Sequence, residues 1–315
     1  MDKAKNALLN EYKGYLFEFL VTKELRRKYK LSAIEAVLRE SDFEMLAQQE
    51  SFVRNQFPDL LVKLPDLAKA TAESIFNNIK DLDVNNVIIV GKQNTSLQDH
   101  SFSEEDIRIE GRDVNLSISL KLAKYGIATN TKSSGVLSFF EKNFSNPEMQ
   151  NEFNKFIDLR FEEMARDLHE IMEIDYHPGF KNWKICKLPE LPGQLNTEAS
   201  ERLKQYYEVI AQKLCKNIKT LSNTADFTEA LLPLTGLSQK DLVQVVCYYQ
   251  KEYELKEVKI KSNQSLGQLE NIEHKRSSVI LTLDQLELHL RIKPMNLFTT
   301  KAYKINSAVN FRPQA

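Results

Sequence analysis

The stretch SEEDIRIEGRDVNLSISLK, Ser103 to Lys121, is where residue types and spacing come nearest to a reaction. Asp106, Ser119 and Lys121 offer a carboxylate, a hydroxyl and an ammonium group. Between them Ile107 and Ile109 alternate with polar residues, and so do Val114, Leu116, Ile118 and Leu120. That period of two predicts a pair of strands around Glu110-Gly111-Arg112-Asp113. Two registers match apolar with apolar, as a one-sided sheet requires. A turn at Gly111-Arg112 sets Asp106 opposite Ser117. A turn at Arg112-Asp113 sets it opposite Ser119 and nearer Lys121, and this pairing is preferred. In both, Asp106, Ser119 and Lys121 share a polar face above a hydrophobic floor. A carboxylate so placed can hold a divalent metal that polarises a phosphate and activates water. A lysine two residues along can stabilise the developing negative charge. Hard oxygen donors with no histidine-cysteine cluster nearby point to Mg2+. The chemistry would be phosphodiester hydrolysis; the competing reading is an ordinary solvated strand face.

These residues resemble the motif of the PD-(D/E)XK nuclease superfamily, which includes most type II restriction endonucleases. Its pattern is an aspartate at the start of one strand and an acid-x-lysine on the next. Asp106 matches the aspartate and Lys121 the lysine. Ser119 stands where the second acid usually is, and Glu105 replaces the usual preceding proline. Some members have a small residue there and take the acid from a helix, and ISLK, Ile118 to Lys121, is similar to that variant. Two helical stretches offer the acid. Glu18 lies in KGYLFEFLVTKEL, like the glutamate of the N-terminal helix in these nucleases; Glu141 lies in SSGVLSFFEKNF, Ser133 to Phe144. Glu18 is favoured, and it also reads as an ordinary solvent-facing helix residue. The resemblance implies catalytic roles for Asp106, Lys121, Glu18 and Ser119. It implies metal ligands among Asp106, Glu18 and Glu141, with double-stranded DNA as substrate. It also implies a homodimer, since a two-fold protein matches a palindromic site. Another nuclease of repair or phage defence is an alternative, as is a non-catalytic binding module that has lost the acid at Ser119.

DNA contacts would come from elsewhere in the chain. TNTKSSG, Thr129 to Gly135, offers Lys132, Ser133 and Ser134 to phosphates, and reads equally as a loop and helix cap. Arg291 and Lys293 belong to a mildly basic C-terminal stretch with Lys301, Lys304 and Arg312. A formal net charge of −1 excludes a general nucleic-acid coat, so any DNA grip must come from uneven distribution of the 43 basic residues. The five histidines form no set; His177 and His274 read as surface residues. Glycine-rich nucleotide loops, a nucleophile elbow and an HExxH zinc motif are missing from the sequence.

The elements that must position these groups can be read from periodicity. Asn6 to Tyr29 carries an apolar stripe of helical spacing. A second helix is expected to start near Ser32, with Glu35 at capping-box distance, and a third to run from about Leu67 to Ile79. Asn86 to Val90 reads as a buried strand, with a polar loop from Lys92 to Glu104 after it. From Pro147 to about Gln250 the pattern is helical, broken by a loop at Tyr176 to Leu195. LTGLSQKDLVQVV places Gly236 in a turn and Ser238 at the N-cap of a new helix, one reading of which is a DNA-reading helix-turn-helix. Glu257 to Lys261, Ser278 to Leu283, Leu286 to Ile292 and Tyr303 to Phe311 read as strands. The expected class is mixed α/β (α+β). A restriction-endonuclease-like core with a central mixed sheet flanked by helices would carry a helical insertion. The expected regions are 1–146 for the catalytic core, 147–255 for the insertion and 256–315 for C-terminal strands. Three distant cysteines imply no disulfide framework. With no signal-type segment and no run long enough to span a bilayer, the expectation is a cytoplasmic protein without a membrane partner.

Overall fold

The computed structural model describes residues 3–34, 38, 40–90, 105–178, 195–237, 242–262, 266–293 and 303–312. In chain order the helices are α1 (Lys3–Lys28), α2 (Glu40–Gln56), α3 (Pro58–Ile79), α4 (Phe139–Phe144), α5 (Pro147–Ile171), α6 (Thr197–Leu221) and α7 (Phe227–Thr235). The first strands are β1 (Val84–Ile89), β2 (Ile107–Gly111), β3 (Asn115–Lys124), β4 (Thr129–Gly135), β5 (Leu242–Tyr249) and β6 (Leu255–Ser262). After them come β7 (Leu269–Lys275), β8 (Ser278–Leu283), β9 (Leu286–Lys293) and β10 (Lys304–Phe311). The class is mixed α/β. Among the described residues no helix is long and apolar enough to cross a membrane.

The chain forms two compact units, each built from two separate segments: 1–127 with 237–264, and 128–236 with 265–315. These divisions differ from the expected 146/147 and 255/256 boundaries, because β5 and β6 return to the sheet that β1 to β3 begin. In the first unit the strand order is β1-β2-β3-β5-β6. β3 and β5 run parallel while the other neighbours are antiparallel. A parallel neighbour cannot be reached by a tight turn, which is why a long connection separates β3 from β5. One face of this sheet is apolar: Val87, Ile107, Ile109, Ile118, Leu120, Val245 and Cys247 are buried. They form one cluster with Leu16, Phe17, Val21 and Leu25 of α1 and Leu64, Leu67 and Ala68 of α3. At roughly 25 cal/mol per Å2 of apolar surface removed from water, such a floor is the main stabilising contribution to the unit.

Arg26 ties α1 to the sheet edge, donating to the Val87 carbonyl at 2.6 Å and to the Ser32 carbonyl and hydroxyl at 2.8 Å each. Ser32 thus accepts from Arg26 through both its carbonyl and its hydroxyl; Glu35 lies outside the described residues, and α2 starts at Glu40. Pro58 opens α3 near its first position, where no amide hydrogen is needed, and Pro65 lies within the same helix. The helix thus begins nine residues before the expected Leu67.

In the second unit the order is β4-β10-β9-β8-β7, all antiparallel. Leu281, Leu288, Leu290, Ile305 and Val309 are buried between this sheet and its helices. TNTKSSG, expected as a loop, is strand β4, paired with β10 from the far end of the chain. The helix expected from Ser133 begins only at Phe139, after the single turn Val136–Ser138. The helix-turn-helix reading is also corrected. Gly236 does cap α7 in the left-handed region at φ 74°, but the next described element is the strand β5, not a helix. Ser238 lies outside the described residues. LVQVVCYY is rich in β-branched and aromatic residues, which suit a pleated buried strand better than a helix.

Candidate active site

β2 pairs with β3 so that Ile107 faces Ile118 and Ile109 faces Leu116. The turn is Arg112-Asp113, with the Gly111 amide donating to the Val114 carbonyl at 2.8 Å. This is the register that brings Asp106 to Ser119. Gly111 is needed here because a Cβ would lie 1.9 Å from the Asp83 carbonyl oxygen, which also accepts from the Arg112 amide at 3.2 Å. A backbone crossing this close leaves no room for a side chain.

Asp106 stands just before β2. Its own amide donates to the Ile118 carbonyl at 2.8 Å, and its side chain then takes over the ladder. Oδ2 accepts from the Leu120 amide at 2.6 Å, the Ser119 hydroxyl at 3.3 Å and the Lys121 ammonium at 3.4 Å. All three contacts reach Oδ2, and none among the described residues reaches Oδ1. The Asp106 side chain is 18% exposed and that of Lys121 30%. The carboxylate is therefore held rigidly yet open to solvent.

Glu105 is a neighbour that sequence reasoning noted only as the place of a missing proline. It is buried, and accepts from the Ser117 hydroxyl at 2.9 Å and from Arg108 at 2.9 and 2.6 Å. The hydrogen bond to Glu105, aided by its charge, raises the Arg108 guanidinium above its ordinary pKa against the opposing effect of burial. Glu105 and Arg108 thus form a nearly neutral brace beside Asp106. The signal that could have found it is Ser117, two residues before Ser119 on the same face of β3.

The opposite side of Ser119 is occupied by Gln244 of β5, its neighbour in the parallel register. Gln244 is buried, and its Oε1 has no hydrogen-bond partner among the described residues. Asp106 and Gln244 thus flank the serine with oxygen donors. They suit Mg2+, which commonly keeps several waters and takes one or two protein carboxylates. Among the described residues no three acid, histidine or cysteine side chains converge, so a metal here would rest on Asp106 with neutral oxygens and water.

Of the two helical acids, Glu18 belongs to the first unit and Glu141 to the second. Glu18 is half-buried on α1, whose neighbouring Leu16 and Phe17 pack into the cluster beneath the apolar face. That is the face opposite the one carrying Ser119 and Lys121. Glu141 is exposed on α4 in the second unit. Of the residues expected at DNA, Ser133, Arg291 and Lys293 share one solvent-facing side of the second sheet. The register sets Lys275, Ser278, Arg291, Asn306 and Ser133 in one row across five strands, with Lys293 beside Lys304 in the next. Lys132 is exposed at the bulge in β4, whereas Ser134 is turned inward and only 9% exposed. Ser134 therefore lacks the exposure that a phosphate contact through its side chain needs.

Searches against protein-family models, curated proteins and solved structures find no match to this chain.

Proposed function

We propose that the chain is a magnesium-dependent endonuclease. It hydrolyses phosphodiester bonds in double-stranded DNA at a specific short sequence, in the manner of type II restriction endonucleases of the PD-(D/E)XK superfamily. The observation that carries this reading is the convergence of Ser119, the Leu120 amide and Lys121 on one oxygen of Asp106. The mixed sheet with helices against its apolar face supports the same reading, as the arrangement expected of such a core.

In this reading Asp106 would hold the metal, and the donors on Oδ2 fix the direction of its carboxylate. When bound, Mg2+ polarises the phosphate and lowers the pKa of a coordinated water. Lys121 offers its ammonium to the charge that develops on the phosphoryl oxygens. Ser119 lines the floor and orients Asp106. Glu105 and Arg108 brace the backbone that carries Asp106. A homodimer acting on a palindrome belongs to the same proposal.

The test is incubation of the purified protein with phage DNA, with Mg2+ or with EDTA, beside Lys121→Ala. Discrete fragments that require Mg2+ and form at least about a hundredfold more slowly in the variant are expected. Intact DNA across salt and metal conditions refutes the reading. One observation favours a second reading, a non-catalytic nucleic-acid-binding module. The Asp106 carboxylate already caps the Leu120 amide, a structural task that needs no metal. Metal-independent DNA binding without cleavage is the result that selects it.

A further inference from the structure

We infer that Gln244 completes the metal site, its side-chain carbonyl supplying the oxygen that the chain lacks at Ser119. This rests on the nuclease reading above. Asp106 just before β2, Ser119 of β3 and Gln244 of β5 fall in one row: extending the β2–β3 register by one residue sets Asp106 opposite Ser119, and Gln244 pairs directly with Ser119. Neighbouring strands are about 4.8 Å apart, so Asp106 and Gln244 flank the serine at similar spacing. Ser119 has the shortest side chain of the three and leaves the middle of the row low. Gln244 has two methylenes before its amide, so its side chain is longer than that of Ser119 beside it.

The state of the glutamine argues for a ligand. It is 1% exposed, and Oε1 finds no donor among the described residues. Buried carbonyl oxygens are nearly always satisfied, and one without a partner calls for an explanation, of which a bound water or cation is one. The next residue across the sheet, Lys261 of β6, is a cation and cannot be a ligand itself. Gln244 is therefore the oxygen donor that the register sets beside Ser119 on the β5 side. A neutral amide in place of a second carboxylate gives the site one negative charge fewer. Its metal affinity is set correspondingly low, because ligand charge tunes affinity for hard cations.

The experiment is calorimetric titration of the full chain with Mg2+, and with Mn2+ monitored by its electron-spin signal, for wild type, Gln244→Leu, Gln244→Glu and Asp106→Asn. Melting curves in EDTA establish that each variant is folded. Gln244→Leu is expected to weaken metal binding about tenfold and Gln244→Glu to tighten it about tenfold, the range in which single ligand-shell changes act. Asp106→Asn is expected to abolish it. Unchanged affinity in both glutamine variants, with Asp106→Asn still defective, overturns the role of Gln244 and leaves the nuclease reading standing. Absence of metal binding by wild type, together with intact DNA in the cleavage assay, overturns both. If Gln244→Leu melts below wild type, Gln244→Glu decides alone, and failure to tighten refutes the inference.

Discussion

Replacing Arg108 by alanine tests the brace beside Asp106. Arg108 makes two charge-assisted hydrogen bonds to Glu105, at 2.9 and 2.6 Å, and the Glu105 side chain is 1% exposed. Removing one partner of a buried ion pair costs about 3–5 kcal/mol, because the other charge is left without compensation. Arg108 itself is 27% exposed, so water can enter the space it vacates. Solvent screening lowers the expected cost to about 2–4 kcal/mol. Glu105→Gln keeps the hydrogen-bonding shape and loses only the charge, so it costs about 1–2 kcal/mol. The double variant should then be more stable than the sum predicts, with a coupling of about 1–3 kcal/mol. The assay is hydrogen exchange of the β2 and β3 amides in all four proteins, which reads the opening free energy of this hairpin directly. A loss below about 1 kcal/mol in Arg108→Ala, or additivity within about 0.5 kcal/mol, would refute the claim that the pair braces the site.

Two further predictions concern the frame around the site. Gly111→Ala drives a Cβ into the Asp83 carbonyl, and the forced shift should destabilise the first unit by about 1–3 kcal/mol in a urea titration. Lys13 is 7% exposed, with its ammonium 5.4 and 5.7 Å from the stacked Tyr249 and Tyr253 rings and 3.4 Å from the Tyr249 hydroxyl. Burial lowers its pKa below the ordinary 10.5, so the folded chain binds fewer protons than the unfolded one in the interval between the two values. Stability must rise with pH across that interval. Relative to Lys13→Met, the wild type should therefore gain stability as the pH rises toward 10.5; a constant difference in urea midpoints contradicts it.

Much of the hairpin was legible because a one-sided sheet leaves few registers, and the one that brings Asp106 to Ser119 is observed. The strands Ser278–Leu283 and Leu286–Lys293 were legible for the same reason, since alternation writes the buried face into the sequence. β4 was not. Thr129 to Gly135 has small polar residues that favour turns, and becomes a strand only through pairing with β10. Gln244 was overlooked because its importance depends on β5 lying parallel to β3, a contact between segments far apart in the chain. Glu105 looked like a departure from a motif, and its link to Ser117 and Arg108 appears only once the strands are paired. Propensity and periodicity act locally, whereas these placements are set by long-range pairing.

The interleaved connectivity has a consequence for synthesis. β5 lies between β3 and β6, yet the ribosome makes it only after the chain has run from Lys124 to Leu242. At typical elongation rates that interval lasts about 6–24 s. Throughout it β3 has no partner on the side that β5 will occupy, and an unpaired strand edge is a template for wrong pairing. Fragments ending before residue 242 keep Asp106, Ser119 and Lys121 in the chain but omit the strand that closes the sheet beside them. Expression of such fragments should give aggregation-prone protein, and the shortest useful truncation must extend through β6.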